Sequence, residues 1–340
     1  MLRDQNGKFN SDNITLSVIV RFHKTERLPF LEEAIFSLAI QHWPNLELIV
    51  AIQNGNNELI EEVRTIITHQ PWLRPPGYKI LQVEVPDGVD GRSKLLNVGI
   101  ENAEGRFLAF LDDDDVVYQH GYTILINQLL NGRCTVAVGG CRTATTSFER
   151  SHWFIHRKET PFVWGRSRFD LFRDNFIPIH SYVIDCSRVG DDNLYFDSSF
   201  SLLEDYEFIL RLCAKFEFDF SHVGVPVCEY RMRLDGSNSI PHSLNSHGQP
   251  PDEHLHHARQ RILEVKRNLT CSVPIGDLAD ISEQIAVLIA AQESERDQMP
   301  FIIARKISRM SAQYPRASAQ LRSIGYLATK YFRRLRHKTK

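Results

Sequence analysis

Short apolar runs and amphipathic segments alternate regularly over the first 130 residues of this chain. Residues 16–22, rich in β-branched side chains, predict a strand. Residues 27–43 predict a helix, because Leu28, Leu31, Ala34, Ile35 and Leu38 recur at intervals of three and four, the spacing of a face packed on a sheet. A strand over 47–53, a turn at 54–57 and a helix over 58–69 follow. A strand over 79–85, a helix over 93–102, a strand over 107–111 and a helix over 122–130 complete the series. Such βαβα alternation implies a parallel sheet with right-handed crossovers and helices on both faces.

The pattern then changes. Strands are predicted over 136–141, 180–185 and 223–232, with a helix over 204–215 that carries acids in its first turn and Lys215 at its end, matching the helix dipole. Residues 148–175 read as irregular and aromatic-rich, and 236–257 as a polar loop. Helical periodicity returns over 258–268, 277–296 and 300–335. The expected organisation is an α/β body, with a nucleotide-binding half over 1–130 and a second half over 131–245, followed by a helical appendage over 250–340.

Composition fits a folded globular protein: 340 residues, 42% apolar and 24% charged. No stretch approaches 18 uninterrupted apolar residues and the first residues lack a signal-peptide core, so the expected location is the cytoplasm. The six cysteines, scattered without a CxxC pair, read as reduced core residues. Net charge of −2 conceals an asymmetry, since residues 300–340 hold 11 Lys or Arg and no acid. This tail suits peripheral contact with an anionic membrane face, or simple solvation; no nucleic-acid partner is expected.

The most informative chemistry is the block Asp112-Asp113-Asp114-Asp115, entered from the apolar run 107–111. Ligands of open α/β sheets gather beyond the carboxyl ends of such strands. Four carboxylates repel one another unless something positive sits among them, and oxygen ligands favour Mg²⁺, Mn²⁺ or Ca²⁺ with a substrate diphosphate. In an extended segment Asp112 and Asp114 would point one way and Asp113 and Asp115 the other. A competing reading has Asp115 capping the next helix.

Leu16-Ser-Val-Ile-Val-Arg-Phe-His23, Gln41-His-Trp-Pro44, Leu46-Glu-Leu-Ile-Val-Ala-Ile52, the Asp112–Asp115 block and Leu203-Glu-Asp-Tyr-Glu-Phe-Ile-Leu-Arg-Leu212 follow one another as landmarks do in family 2 glycosyltransferases. The resemblance covers about residues 14–240. It implies a GT-A fold, a Rossmann-like and mostly parallel sheet flanked by helices, with a nucleoside-diphosphate sugar as donor, UDP-sugar favoured. It also implies Mn²⁺ or Mg²⁺ and inversion at the anomeric carbon. The family's DxD motif maps to Asp112-Asp113-Asp114, the first facing the nucleoside and the last holding the metal, so Asp114 and Asp112 are the expected ligands. Arg92 and Lys94 match a basic position near the donor diphosphate. Asp205 matches the catalytic base, with Glu204 orienting it or touching the acceptor.

Departures are informative. Gln53 and Asn54 stand where an acidic pair usually reads the donor base, and an amide offers both a donor and an acceptor to a base edge. Arg21 and Phe22 occupy the opening motif, and Arg233 stands where many relatives carry His. An arginine stays protonated and ligates no metal, but it can face a diphosphate. Trp153, Phe162, Trp164 and Tyr182 suit either acceptor stacking or the core, and His180 reads as a core histidine. His242, His247, His254, His256 and His257 lack the spacing of a zinc site.

The expected reaction is transfer of one sugar per encounter to a hydroxyl acceptor, a sugar or glycolipid, in surface polysaccharide, lipopolysaccharide or glycoconjugate synthesis, since the QxxRW signature of processive synthases is absent. The alternatives are a nucleotidyltransferase, for which residues 21–27 lack the glycines, and a non-catalytic sugar-binding protein of the same fold.

Overall fold

The computed structural model describes residues 14–149, 152–159, 165–234 and 253–272. The chain divides into two compact units, 1–271 and 272–340. The helices expected over 277–296 and 300–335, the basic tail, Phe162, Trp164, His242 and His247 lie outside the described residues.

The first unit holds strands β1 (Leu16–Phe22), β2 (Leu46–Gln53), β3 (Gly77–Val83), β4 (Phe107–Asp112), β5 (Val116–Val117), β6 (Val136–Glu149), β7 (His152–Lys158), β8 (Tyr182–Asp185) and β9 (Phe218–Arg233). Its helices are α1 (Leu28–Ala39), α2 (Asn57–His69), α3 (Arg92–Glu101), α4 (Gly121–Asn131), α5 (Arg168–Arg173), α6 (Glu204–Lys215) and α7 (Glu253–Asn268). One sheet runs β3-β2-β1-β4-β8-β6-β9-β5, with β7 paired to β6. β3, β2, β1 and β4 are parallel, as the alternation predicts, whereas β8 is antiparallel to both β4 and β6.

The central strands are buried on both faces, which explains their continuous apolar sequence. Val18, Val20, Leu48, Val50, Ala109 and Leu111 pack with α1, α2 and α4 on one side. Ile19, Ile49, Leu108 and Phe110 pack on the other with Leu96 of α3 and with Phe208, Ile209 and Leu212 of α6. Gly99 brings α3 onto the sheet, because a Cβ there would sit 2.5 Å from Cγ2 of Ile19. Gly99→Ala should therefore lose about 1 kcal/mol: overpacking of roughly 1–3 kcal/mol outweighs the roughly 1 kcal/mol that alanine adds to a helix. Urea unfolding measures the net; an unchanged or raised midpoint would show that α3 yields without cost.

The second half departs from expectation where polar β-branched residues hide the strand signal. β6 continues to Glu149 through Thr143, Thr145 and Thr146, and with β7 forms a hairpin inside the stretch read as irregular. Its outer part is half exposed, so its apolar content is low. β9 begins at Phe218, five residues early, and pairs with β6 through three register shifts. α7 begins at Glu253 and belongs to the first unit: Ala258 and Ile262 are buried, and Ile262 joins the cluster that contains α6. The two compact units divide after Cys271, so α7 falls in the first.

Candidate active site

β1, β2 and β4 end side by side, and their carboxyl ends and the start of α3 line an open cleft of about 650 Å³. Of the residues singled out in the sequence, Arg21, Phe22, Gln53, Arg92, Asp112, Asp113 and Asp114 line it. Glu204 and Arg233 reach this lining through ion pairs.

The acidic block is a turn, so strand alternation stops at Asp112. The Asp115 N–H donates to the Asp112 carbonyl at 3.2 Å, and Asp112, Asp113 and Asp114 all face the cleft. Asp115 turns inward. It caps no helix, since α4 starts at Gly121; instead it is fully buried and accepts the Arg231 N–H at 2.7 Å.

Each of the three carboxylates on the cleft has its arginine. Arg21 is the register neighbour of Asp112 and grips it with two bonds, Nε to Oδ1 at 2.6 Å and Nη2 to Oδ2 at 3.1 Å. Its remaining Nη1 donates to Glu204 Oε1 at 2.8 Å, joining β1 to the start of α6. Arg27 holds Asp113 the same way, through Nε and Nη2 at 2.6 Å each, and also reaches Asp114 Oδ2 at 3.0 Å. Arg233 Nη1 donates to the same Asp114 Oδ2. Burial opposes ionisation of Asp112, yet the Arg21 charge outweighs it and holds the carboxyl below its ordinary range. At Asp113 burial prevails over the Arg27 bonds and, with Asp114 beside it, pushes the carboxyl up to about 6.

Arg27 carried no role in the sequence reading. The signal was available, because four adjacent acids demand cations and Arg21, at the end of β1, is followed by Lys24 and Arg27 in the loop after it. His23, in the same loop, is pushed down to about 4 by burial and by Arg27, Lys24 and Arg21, and is neutral at pH 7.

Two other candidates serve the framework. Asn54, with φ of 48°, donates from Nδ2 to the Val85 carbonyl at 2.8 Å and accepts the Val85 N–H at 2.7 Å. Its amide acts as an extra rung between β2 and the chain after β3, leaving Gln53 as the amide on the cleft. Lys94 Nζ donates to the Glu84 carbonyl at 2.6 Å and does not line the cleft. Arg92 does line it, pairing with Asp90 at 2.7 Å and approaching Glu204 at 3.6 Å.

Asp205 sits in the first turn of α6, half-buried. Its Oδ1 accepts the N–H of Tyr206 at 2.8 Å, and Asn175 Nδ2 stands 3.5 Å from Oδ2. Burial, then the adjacent Glu204 carboxylate, push it up to about 6, so it is ionised at neutral pH yet basic enough to take a proton. The residue before this pair, Leu203, has φ of 64° and ψ of 24°. A left-handed leucine costs energy and is sustained only where the surroundings over-determine it. No sequence pattern announces it.

The comparisons agree with this geometry. Residues 17–190, just over half of the chain, match the model of glycosyl transferase family 2. An uncharacterized glycosyltransferase of Rickettsia felis is 32% identical over 104 residues, 31% of this chain and 15% of that protein. Glycosyltransferase GlyA of Streptococcus pneumoniae is 22% identical over 160 residues, 47% of this chain and 20% of that protein. The matched segments thus span a fifth or less of those relatives. The crystal structure of residues 1–349 of Staphylococcus aureus TarS, in complex with UDP, superposes over 76% of this chain and 67% of that one, with a TM-score of 0.50 at 16% identity. The fold is of the GT-A type. The family match, with acids and arginines gathered at the carboxyl ends of a parallel sheet, establishes that the chain belongs to glycosyl transferase family 2.

Proposed function

We propose that this glycosyltransferase moves a sugar, with inversion, from a nucleoside-diphosphate sugar to a hydroxyl acceptor. One observation carries the reading: Asp205, with its raised affinity for a proton, stands beside Glu204, which is tied through Arg21 to the first carboxylate of the Asp112–Asp114 turn. Proton acceptor and diphosphate cleft are thereby held in one frame. The acceptor oxygen bonds to the anomeric carbon from the side opposite the diphosphate, its proton passes to Asp205, and the bond from that carbon to the diphosphate oxygen breaks. The charge left on the diphosphate meets Arg27 and Arg92 on the cleft wall. Gln53, with one donor and one acceptor, suits the edge of uracil, which favours UDP-sugar. A carbohydrate acceptor in surface polysaccharide or glycoconjugate assembly fits a hydroxyl nucleophile.

The family also implies a divalent cation, and the donors fit one in kind. Asp112 and Asp114 are hard oxygen ligands, partly exposed in the cleft, and Arg27 and Arg233 each reach Asp114 at Oδ2. A cation held there would neutralise the departing diphosphate. Arg233 competes with it for Oδ2. Arg233→His, which exchanges a competitor for a ligand, should lower the Mn²⁺ concentration needed for half-maximal stabilisation by UDP, by about tenfold. Thermal titration with Mn²⁺ at fixed UDP measures this; equal requirements in both proteins would show that Arg233 does not control the metal.

A thermal-shift screen of UDP, GDP, dTDP and CDP, with and without Mn²⁺, tests the donor reading, because a ligand that binds only the native state raises its stability. UDP should give the largest shift. If no nucleotide moves the midpoint, the donor assignment fails.

A further inference from the structure

Beneath the acidic turn, away from the cleft lining, lies a group of side chains that the transfer reaction does not use. Cys141 of β6 and Cys228 of β9 are register neighbours on parallel strands. His180, in the turn at Ile179–Ser181 that leads into β8, directs Nε2 to Cys141 Sγ at 3.6 Å. The two sulfurs and a histidine nitrogen all lie within 4.8 Å of one another. The three residues are buried, at 4%, 0% and 1% exposure.

We propose that Cys141, Cys228 and His180 form a structural zinc site, separate from any cation at Asp112–Asp114. Three arguments support it. First, the donor set is the one zinc takes: two thiolates and an imidazole are soft to borderline ligands, unlike the all-oxygen set of the turn. Second, the spacing fits. With Zn–S near 2.3 Å and Zn–N near 2.05 Å, a tetrahedral angle separates sulfur from nitrogen by about 3.6 Å. That is the observed separation of Cys141 Sγ and His180 Nε2. Third, the outer atom of the histidine has a suitable partner. Nδ1 stands 3.2 Å from Asp115 Oδ2, and these two buried atoms have no other hydrogen-bond partner among the described residues. Metal-bound histidines characteristically give their second N–H to a carboxylate, which fixes the tautomer and raises the basicity of the ligating nitrogen.

Binding balances as one Zn²⁺ taken up and two thiol protons released, with the histidine ligating as neutral imidazole. These three side chains fill three of the four tetrahedral positions. The ion would join β6, β9 and the turn before β8, and through His180 and Asp115 would steady the end of the Asp112–Asp115 turn. Asp115 also accepts the Arg231 N–H, so this support extends to the end of β9 that carries Arg233.

The test uses the full chain, purified after growth with zinc and dialysed exhaustively. Elemental analysis should find about one zinc per chain. Replacing it with Co²⁺ should give thiolate-to-cobalt charge-transfer absorption, which oxygen ligands cannot produce. Cys141→Ser and His180→Ala should each lose most of the metal, whereas Asp114→Ala should keep both the zinc and the cobalt band. Three results overturn the proposal: no zinc and no cobalt–thiolate band even after unfolding and refolding with excess Co²⁺, full zinc content in Cys141→Ser, or a disulfide between Cys141 and Cys228. Should the variants fail to fold, the cobalt spectrum of the unmodified chain decides alone.

Discussion

Asp205→Asn is expected to reduce sugar transfer by about 10³-fold while leaving the thermal shift with UDP unchanged, because general-base catalysis contributes on the order of 10²–10⁴ and the amide keeps the shape of the side chain. The same group sets the pH dependence. Burial and the Glu204 carboxylate raise Asp205 to about 6, so transfer should increase as pH rises through that value and level off above it. Stability runs the other way: a carboxyl whose folded pKa lies above its unfolded one binds its proton more tightly in the native state, and its contribution is lost as pH rises between the two values. Asp205→Asn removes that loss, so the variant should be inactive but more stable than the parent at pH 7. Initial rates across pH 5 to 8 and urea midpoints at pH 7 are the readouts. A variant that also loses the UDP shift would place Asp205 in donor binding and undo the separation of roles.

What was legible in the sequence follows from which physical signals are local. β1 to β4 and α1 to α4 were visible because strands buried on two faces must be apolar throughout, and helices on a sheet must repeat at three and four. The hairpin of β6 and β7 was hidden because one face meets solvent and its threonines break the apolar run. The acidic block identified the site, but its shape was misread. Alternation assumes an extended chain, whereas the bond from the Asp115 N–H to the Asp112 carbonyl closes a turn and brings Asp113 to the cleft beside Asp112 and Asp114. Asn54 looked like a base-reading amide because its type fits that role. Only the fold shows both its polar groups committed to Val85. Long-range pairings are the least legible of all: Arg27 with Asp113, and Arg21 with Glu204, are 86 and 183 positions apart.

Arg21 illustrates how much such a pairing can carry, since Arg21→Met should destabilise the fold by about 3–5 kcal/mol, the cost of leaving buried charges without their partner. Arg21 is 16% exposed and Glu204 only 3%, so water cannot replace the guanidinium at Glu204, whereas Asp112, 21% exposed on the cleft, recovers part of its loss from solvent. The methionine keeps the apolar stem and removes only the charge and its three bonds. Arg92, 3.6 Å from Glu204, is already bonded to Asp90 and can compensate only in part. The pH dependence identifies the cause. The Asp112 carboxyl is held below its ordinary range, so its contribution is present in full above the unfolded value near 3.9 and is lost as pH falls through the lower folded one. Without Arg21 that contribution disappears, and the deficit of the variant should be largest at neutral pH and shrink in acid as the carboxylates take up protons. Adding Glu204→Gln should recover about 2 kcal/mol, because a neutral amide costs less to leave buried than an unpaired carboxylate. Urea unfolding of the three proteins at pH 7 and pH 3, on either side of the unfolded carboxyl value, measures all of this. A loss below about 1 kcal/mol in Arg21→Met, or one independent of pH, would mean that the frame joining β1, β4 and α6 is held by packing and not by this arginine.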